Sequence, residues 1–433
     1  MINKLTIRGG RPLSGRVRVA GAKNAASKMM IASLLTDEPV TLDNCPQIEE
    51  LTITAEICEA VGAKVERDGS HVTIHTPEIK QAKVKKLSRS NRISVLAIAP
   101  LLHRRGEAEV PRVGGDAIGP RPVDFHMSAL EQMGAVIEET KDGYRATAPN
   151  GLSGTTVSLP YPSVGATESV ILAGVLADGR TRIENAALEP EINDLVRLLQ
   201  QMGAIIEFGA DRTITIDGVK KLHGATYEVL PDRLEAASFA NLAIATGGTI
   251  TVEGARQTEL GTFLNTVRRI GGKFEITPEG ITFSRGEDGL VGIELETDTY
   301  PGFVTDWQQP TVVTLTQATG TSVIHETVYE DRFGYTEDLR RMGAEIEVFA
   351  KCLGELPCRF AHQSQRHSAI ITGPTQLHGT EIEIPDIRAG MAQVIAALTA
   401  DGTSVLTGVH HLERGYEDLW GKLSALGADF DLE

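Results

Sequence analysis

The 433-residue sequence predicts an α/β fold made of six copies of one structural unit. Three observations carry that prediction. A short phrase, an apolar residue followed by Gly-Ala or Gly-Gly, recurs at Gly62, Gly134, Gly203, Gly271, Gly343 and Gly427, at intervals of 72, 69, 68, 72 and 84 residues. Six stretches are apolar nearly all round: 25–35, 94–102, 169–177, 236–245, 311–318 and 391–400. Polar residues gather just before these stretches and keep the same period. A phrase that returns every ~70 residues marks one supersecondary unit repeated along the chain.

Each element of the unit follows from its residues. A helix without a polar face is a buried helix. Most of the six end in a glycine turn and a new strand, as in Asp178-Gly179-Arg180-Thr181-Arg182-Ile183 and Asp401-Gly402-Thr403-Ser404-Val405. An amphipathic helix comes next, with apolar residues at helical spacing in 51–61 and 195–202. The glycine of the phrase then supplies a left-handed cap. Alternating residues after it, such as Lys64-Val65-Glu66, read as a strand. Residues 1–10 alternate in the same way and read as a strand rather than an apolar signal core.

The polar groups before the buried helices are Lys23-Asn24, Asn91-Arg92, Ser163-Val164-Gly165, Asp232-Arg233, Thr305-Asp306 and Asp386-Ile387-Arg388. From Asn24 through Arg92, Gly165, Arg233, Asp306 and Arg388 the intervals are 68, 73, 68, 73 and 82. Helix N-termini present free N–H groups and partial positive charge, so they favour anions. For Asn24 or Thr305 taken alone, simple N-capping is as good a reading as a ligand contact. It does not account for Lys and Arg, which the helix dipole disfavours there; cations so placed imply anions that offset the cost.

Composition narrows the function further. Hydrophobic residues are 41% and charged residues 23%, as in ordinary globular proteins, and the length suits two or three domains. A net charge of -16 argues against nucleic acid as a partner. The stretch at 94–102 is far shorter than the ~20 residues of a membrane span. Four cysteines in so long a chain suggest a reducing cytoplasm and no disulfide framework. Cys45 and Cys58 read as packing residues.

Several segments together resemble one family. Gly21-Ala22-Lys23-Asn24-Ala25, the run from Gly114-Gly115-Asp116-Ala117-Ile118-Gly119-Pro120 through Arg121-Pro122-Val123-Asp124, Ser163-Val164-Gly165-Ala166-Thr167, Glu184-Asn185-Ala186-Ala187 and Arg414-Gly415-Tyr416-Glu417 are similar to UDP-N-acetylglucosamine 1-carboxyvinyltransferases of the enolpyruvyl transferase family. The resemblance covers nearly the whole chain. It implies a two-domain inside-out α/β barrel, three units per domain, with buried helices inside and sheets outside. The implied domains are 1–21 with 231–433, and 22–230, the chain crossing near Ala20-Gly21 and Leu230-Pro231. It also implies a monomer in the cytoplasm. The implied reaction moves the enolpyruvyl group of phosphoenolpyruvate to the 3-hydroxyl of UDP-N-acetylglucosamine and releases phosphate, opening peptidoglycan synthesis.

Residue roles follow from the resemblance position by position. Lys23, Arg121 and Arg414 are expected to hold phosphoenolpyruvate, with Arg92, Arg332 and Arg388 supporting its anions and Asn24 touching the acceptor sugar. Arginine suits phosphate and carboxylate because its fork binds both bidentately. Asp306 is expected to act as base at the acceptor hydroxyl or to hold it, while N-capping of the next helix is its plainer role. Asp386 is expected to help order the closed site. The acceptor nucleotide is expected at Arg121, Pro122, Val123 and Asp124, at Ser163, Val164 and Gly165 for the diphosphate, and at Val328. Tyr161 and Pro162 depart from the family, where a lysine often helps the diphosphate. Asp116 stands where many members carry Cys; a carboxyl delivers a proton but is a poor nucleophile, so Asp116 is expected to be the general acid and the enzyme to resist fosfomycin, an epoxide that alkylates that Cys. The surrounding glycines suggest a closing lid. His126 is expected to support the neighbouring loop. No organic cofactor or metal is expected, since the arginines do the charge work.

One segment lies outside the family pattern. Between Phe349 and Gly373 the chain carries extra residues, among them Cys352, Cys358, His362 and His367. Two Cys and two His within 16 residues invite a zinc reading. Five residues separate the cysteines, more than the usual two to four, which favours an elaborated loop with reduced cysteines and no metal. Two other functions stay open: enolpyruvyl transfer to another nucleotide such as UMP, and a non-catalytic nucleotide-sugar-binding paralogue.

Overall fold

The structure is a computed structural model and describes residues 4–84, 87–89, 91–114 and 123–433. They form two compact units, 21–114 with 123–230, and 4–20 with 231–433. Each unit has its own apolar core.

Each repeat contributes one small sheet, and five of the six described sheets share a pattern. One edge strand runs parallel to its neighbour and the other pairs are antiparallel; Thr156–Ser158 against Arg180–Glu184 is one such edge. The sheet of Glu107–Pro111, Gly143–Thr147 and Val136–Glu139 has three strands, with a single parallel bridge from Lys83 to Glu109 where the others have an edge strand. The first strands of the chain complete later sheets. Lys4–Arg8 lies between Thr403–Thr407 and Asp429–Leu432, and Ser14–Arg18 pairs with Thr249–Glu253.

The six apolar stretches form helices at Lys23–Ala32, Ile98–Arg105, Val164–Gly174, Arg233–Thr246, Gln308–Leu315 and Ile387–Thr399. In the second unit, Arg233–Thr246, Gln308–Leu315 and Ile387–Thr399 pack on one another. Two of the six differ from the plain helices expected. They open in 3-10 turns, Ile93–Ala97 and Thr305–Trp307. Pro100 and Pro310 are the reason. Each is the third residue of its α-helix, where the ring has no N–H to give and crowds the carbonyl four residues earlier, so α geometry cannot extend back past it.

The outer helices end as the repeated phrase predicts. All six phrase glycines have positive φ, between 86° and 110°. In five of them the next alanine N–H reaches back five residues, as from Ala63 to the Cys58 carbonyl at 3.0 Å, closing a Schellman cap. The four cysteines are free thiols. Burial pushes the Cys45 and Cys58 thiols up to about 12, which leaves them inert packing groups.

Candidate active site

Every polar group singled out before a buried helix stands at a helix start. Lys23 and Asn24 open Lys23–Ala32, half-buried. Arg92 precedes the turn Ile93–Ala97, and the Asn91 side chain accepts the Ile93 N–H at 3.1 Å. Ser163 caps Val164–Gly174 by accepting from Ala166 N at 3.4 Å. Asp232 caps Arg233–Thr246, accepting from Leu234 and Glu235 N at 2.8 and 3.1 Å. Asp386 caps Ile387–Thr399 in the same way, from Arg388 and Ala389 N at 2.8 and 3.0 Å.

In the unit of 4–20 and 231–433, three expected residues meet. Asp306 Oδ1 accepts from Arg332 Nη2 at 2.6 Å, and Asp306 Oδ2 lies 3.6 Å from Arg388 Nε. These come from three separate segments, a 3-10 turn, the loop before Thr336–Arg341, and the first turn of Ile387–Thr399. Both arginine side chains are nearly buried, at 4% and 10% exposure, while Asp306 keeps 27%. Neither the Thr305–Trp307 turn nor the helix after it has a side-chain cap, so the Asp306 carboxylate serves the arginines instead. Burial pulls both guanidiniums down, yet Asp306 for Arg332, and Tyr416 and Asp306 for Arg388, hold them above their usual range. Arg388, the cation at the start of Ile387–Thr399, therefore has an internal carboxylate as a partial counterion.

Arg388 also donates from Nη1 to Tyr416 Oη at 3.2 Å, and Tyr416 Oη lies 2.9 Å from Ser238 Oγ. This chain ties the Arg414-Gly415-Tyr416 segment to two buried helices. A Cβ at Gly415 would sit 2.9 Å from Ile387 Cγ2, so the segment lies directly against the start of Ile387–Thr399. Arg414 is buried there at 5% exposure.

Around Asp306 stand residues that belong to none of the motifs. Glu326 is fully buried and accepts four hydrogen bonds: Thr297 Oγ1 at 2.8 Å, Thr305 Oγ1 at 2.9 Å, and the N–H groups of Val328 and Tyr329 at 2.9 and 3.0 Å. It thereby joins the Thr305–Trp307 turn to the Val328 loop. With its amide turned so that the oxygen faces Arg332, Gln309 accepts from Arg332 Nε at 2.6 Å, and the Tyr329 ring centroid lies 4.8 Å from the same guanidinium. A glutamate that directly follows a strand, in His325-Glu326-Thr327, was the available signal.

In the unit of 21–230, Val123 precedes the helix Asp124–Gln132 and is buried, while Asp124 is exposed. His126 in that helix packs on the start of the Ser163-capped helix. Its Nδ1 is 2.8 Å from Ser169 Oγ, and a Cβ at Gly165 would lie 2.7 Å from its Cε1. Burial, with the nearby Arg92 charge, drops its pKa to about 3, so the ring is neutral near pH 7 and supports rather than protonates. Glu168, one turn into the same helix, is pushed up to about 7 by burial against the opposing charge of Lys28. Asp116, Arg121 and Pro122, with the lid expected around Asp116, lie outside the described residues.

The EPSP synthase (3-phosphoshikimate 1-carboxyvinyltransferase) family matches residues 7–423. A UDP-N-acetylglucosamine 1-carboxyvinyltransferase of Protochlamydia amoebophila is 50% identical, over 99% of this chain and 94% of its own. Another from Chlamydia trachomatis serovar D is 48% identical, over 96% of this chain and 95% of its own. This chain belongs to the enolpyruvyl transferase family, in its UDP-N-acetylglucosamine 1-carboxyvinyltransferase branch. Its fold is that of enolpyruvyl transferases. The enolpyruvyl transferase NikO of Streptomyces tendae superposes with a TM-score of 0.86 at 25% identity, covering 100% of this chain and 99% of that one. An EPSP synthase of Acinetobacter baumannii does so with a TM-score of 0.72 at 19% identity, covering 100% of both chains.

Within this enolpyruvyl transferase the insert also takes a definite shape. Cys352, Cys358 and His367 come together, and His325, which the sequence did not connect with them, joins the group. His362 does not; it is exposed. Among the described residues no helix is long and apolar enough to cross a membrane.

Proposed function

We propose that this enolpyruvyl transferase moves the enolpyruvyl group of phosphoenolpyruvate to the 3-hydroxyl of UDP-N-acetylglucosamine, the first committed step of peptidoglycan synthesis, as a monomer in the cytoplasm. The observation that carries this reading is Asp306 held between Arg332 and Arg388. A carboxylate gripped by two guanidiniums is fixed in place as a proton acceptor, and the same guanidiniums are near-buried donors for phosphate and carboxylate oxygens.

In this scheme Asp306 takes the proton of the acceptor hydroxyl as its oxygen bonds to C2 of phosphoenolpyruvate. Asp116 gives a proton to C3, and a tetrahedral adduct forms. Loss of a C3 proton restores the double bond as the C2–O bond to phosphate breaks. Lys23, Arg121 and Arg414 hold the donor, with Arg92, Arg332 and Arg388 supporting its charge. Asn24, Val123, Asp124, Ser163, Val164, Gly165 and Val328 receive the nucleotide sugar, with Arg121 and Pro122. Ser163 at a helix start supports the diphosphate assignment, since N–H groups and helix dipole both favour an anion there. Phosphate release from phosphoenolpyruvate, measured with UDP-N-acetylglucosamine and then with UMP as acceptor, tests the reading. Release with the first alone supports it; release with UMP alone moves the acceptor, and release with neither removes the enzyme.

A further inference from the structure

We infer that the insert is a structural zinc site, with His325, Cys352, Cys358 and His367 as its four ligands. Their donor atoms all lie within 4.8 Å of one another. Zinc bonds of about 2.3 Å to sulfur and about 2.0–2.1 Å to nitrogen give tetrahedral edges of about 3.3–3.8 Å, so movements of about an ångström close the set. Cys352 Sγ is already 3.3 Å from His367 Nε2. Both cysteines are free thiols.

The two histidines are oriented as zinc ligands are. His325 Nδ1 is 2.8 Å from Glu296 Oε2, which fixes its proton on Nδ1 and leaves Nε2 as the lone-pair nitrogen. That Nε2 is buried without a hydrogen-bond partner, in a residue with 0% exposure. His367 Nδ1 donates to the Gln365 carbonyl at 2.7 Å, leaving its own Nε2 toward Cys352. The sheet sets their approach. His325 ends the strand Gly320–His325 and pairs with Ser368, so His367 falls beside it, with ring centroids 5.7 Å apart.

The cysteine loop is also shaped for the ion. Glu296 accepts the N–H groups of Glu355 and Leu356, both at 2.9 Å, so the same carboxylate that orients His325 holds the loop between the cysteines. A Cβ at Gly354 would lie 2.2 Å from Glu296 Oε2, so only glycine fits this approach. The Phe360 N–H points at Cys358 Sγ at 3.4 Å. This bracing lets five intervening residues do what two to four do in a tighter knuckle, which revises the reading of that spacing as unfavourable. Two thiolates, two neutral imidazoles and Zn²⁺ sum to zero charge, which suits a site whose histidines are fully buried. Four protein ligands leave no open position, the mark of a structural rather than catalytic ion. Arg359, next to Cys358, donates to the Val328 carbonyl at 2.6 Å, so the ion would brace the Val328 loop.

The test is metal analysis by mass spectrometry on the full chain, purified with any affinity tag removed and no chelator, beside a cobalt-loaded sample. About one zinc per chain is expected, falling below about a tenth in Cys352→Ser/Cys358→Ser and staying near one in His362→Ala. Cobalt should give intense tetrahedral ligand-field bands with a thiolate charge-transfer band. Zinc below about a tenth of an equivalent, both as isolated and after dialysis against zinc chloride, overturns the site. So does full zinc in the double variant. Should that variant fail to fold, the cobalt spectrum of the unaltered chain decides, and bands without thiolate charge transfer count against the site.

Discussion

Asp306→Asn separates the proposed base from its structural role. The change keeps the shape and removes the charge that Arg332 and Arg388 share. Two consequences follow. A general base contributes about 10²–10⁴-fold, so kcat for phosphate release should fall by about that factor. The two guanidiniums, at 4% and 10% exposure, also lose their common counterion. Removing one partner of a buried pair costs about 3–5 kcal/mol. Asp306 is 27% exposed and Asn still accepts a hydrogen bond, so about 1–3 kcal/mol is the expected loss for this unit. At about 2–4 °C per kcal/mol for a domain of this size, Tm should drop by about 2–12 °C. KM for phosphoenolpyruvate should not rise, because the freed guanidiniums no longer share their charge with a carboxylate. Steady-state kinetics with a thermal melt reads all three. A folded variant with kcat within about tenfold of the parent would refute Asp306 as base.

Other outcomes can be checked more briefly. Fosfomycin should leave no covalent adduct by mass spectrometry, and Asp116→Cys should acquire one, since the thiolate attacks epoxides and the carboxylate does so poorly. Below pH 6.5 the unfolded chain protonates His126 while the folded chain, with its pKa of about 3, does not; the unfolded state then binds more protons, and stability is lost as pH falls. Between pH 7 and 5 this amounts to about 2 kcal/mol in urea unfolding, and His126→Gln should remove that part of the slope. Gly427→Ala should cost only the left-handed penalty of about 1–2 kcal/mol, since nothing lies within 4 Å of the new Cβ. Gly271→Ala should cost visibly more, because its Cβ would lie 2.4 Å from the Gly289 carbonyl oxygen.

Much of the fold was legible because its signals are local. A Gly-Ala phrase after an amphipathic stretch specifies a left-handed cap, and all six glycines adopt one. Helices without a polar face had to be buried, and Arg233–Thr246 is buried at every position but its last. Asp232 and Asp386 could be read as caps from their place before such helices. The 3-10 openings are harder to read, because the continuous apolar pattern masks the steric demand of Pro100 and Pro310. What the sequence could not carry is long-range pairing. His325 is 27 positions before Cys352, and only the register between Gly320–His325 and Ser368–Gly373 brings it to the insert. The arginines and Asp306 were readable one at a time from resemblance. Their mutual contact, and the buried Glu326 beneath it, depend on loops folding back, for which no spacing rule exists.

Enolpyruvyl transfer should reach one particular hydroxyl of the acceptor, which is read by incubating the chain with ¹³C-labelled phosphoenolpyruvate and UDP-N-acetylglucosamine and following the product by NMR. Labelled C2 should become bonded to the sugar's 3-oxygen as inorganic phosphate appears. Label that stays in phosphoenolpyruvate, or is joined to any other position, would contradict it.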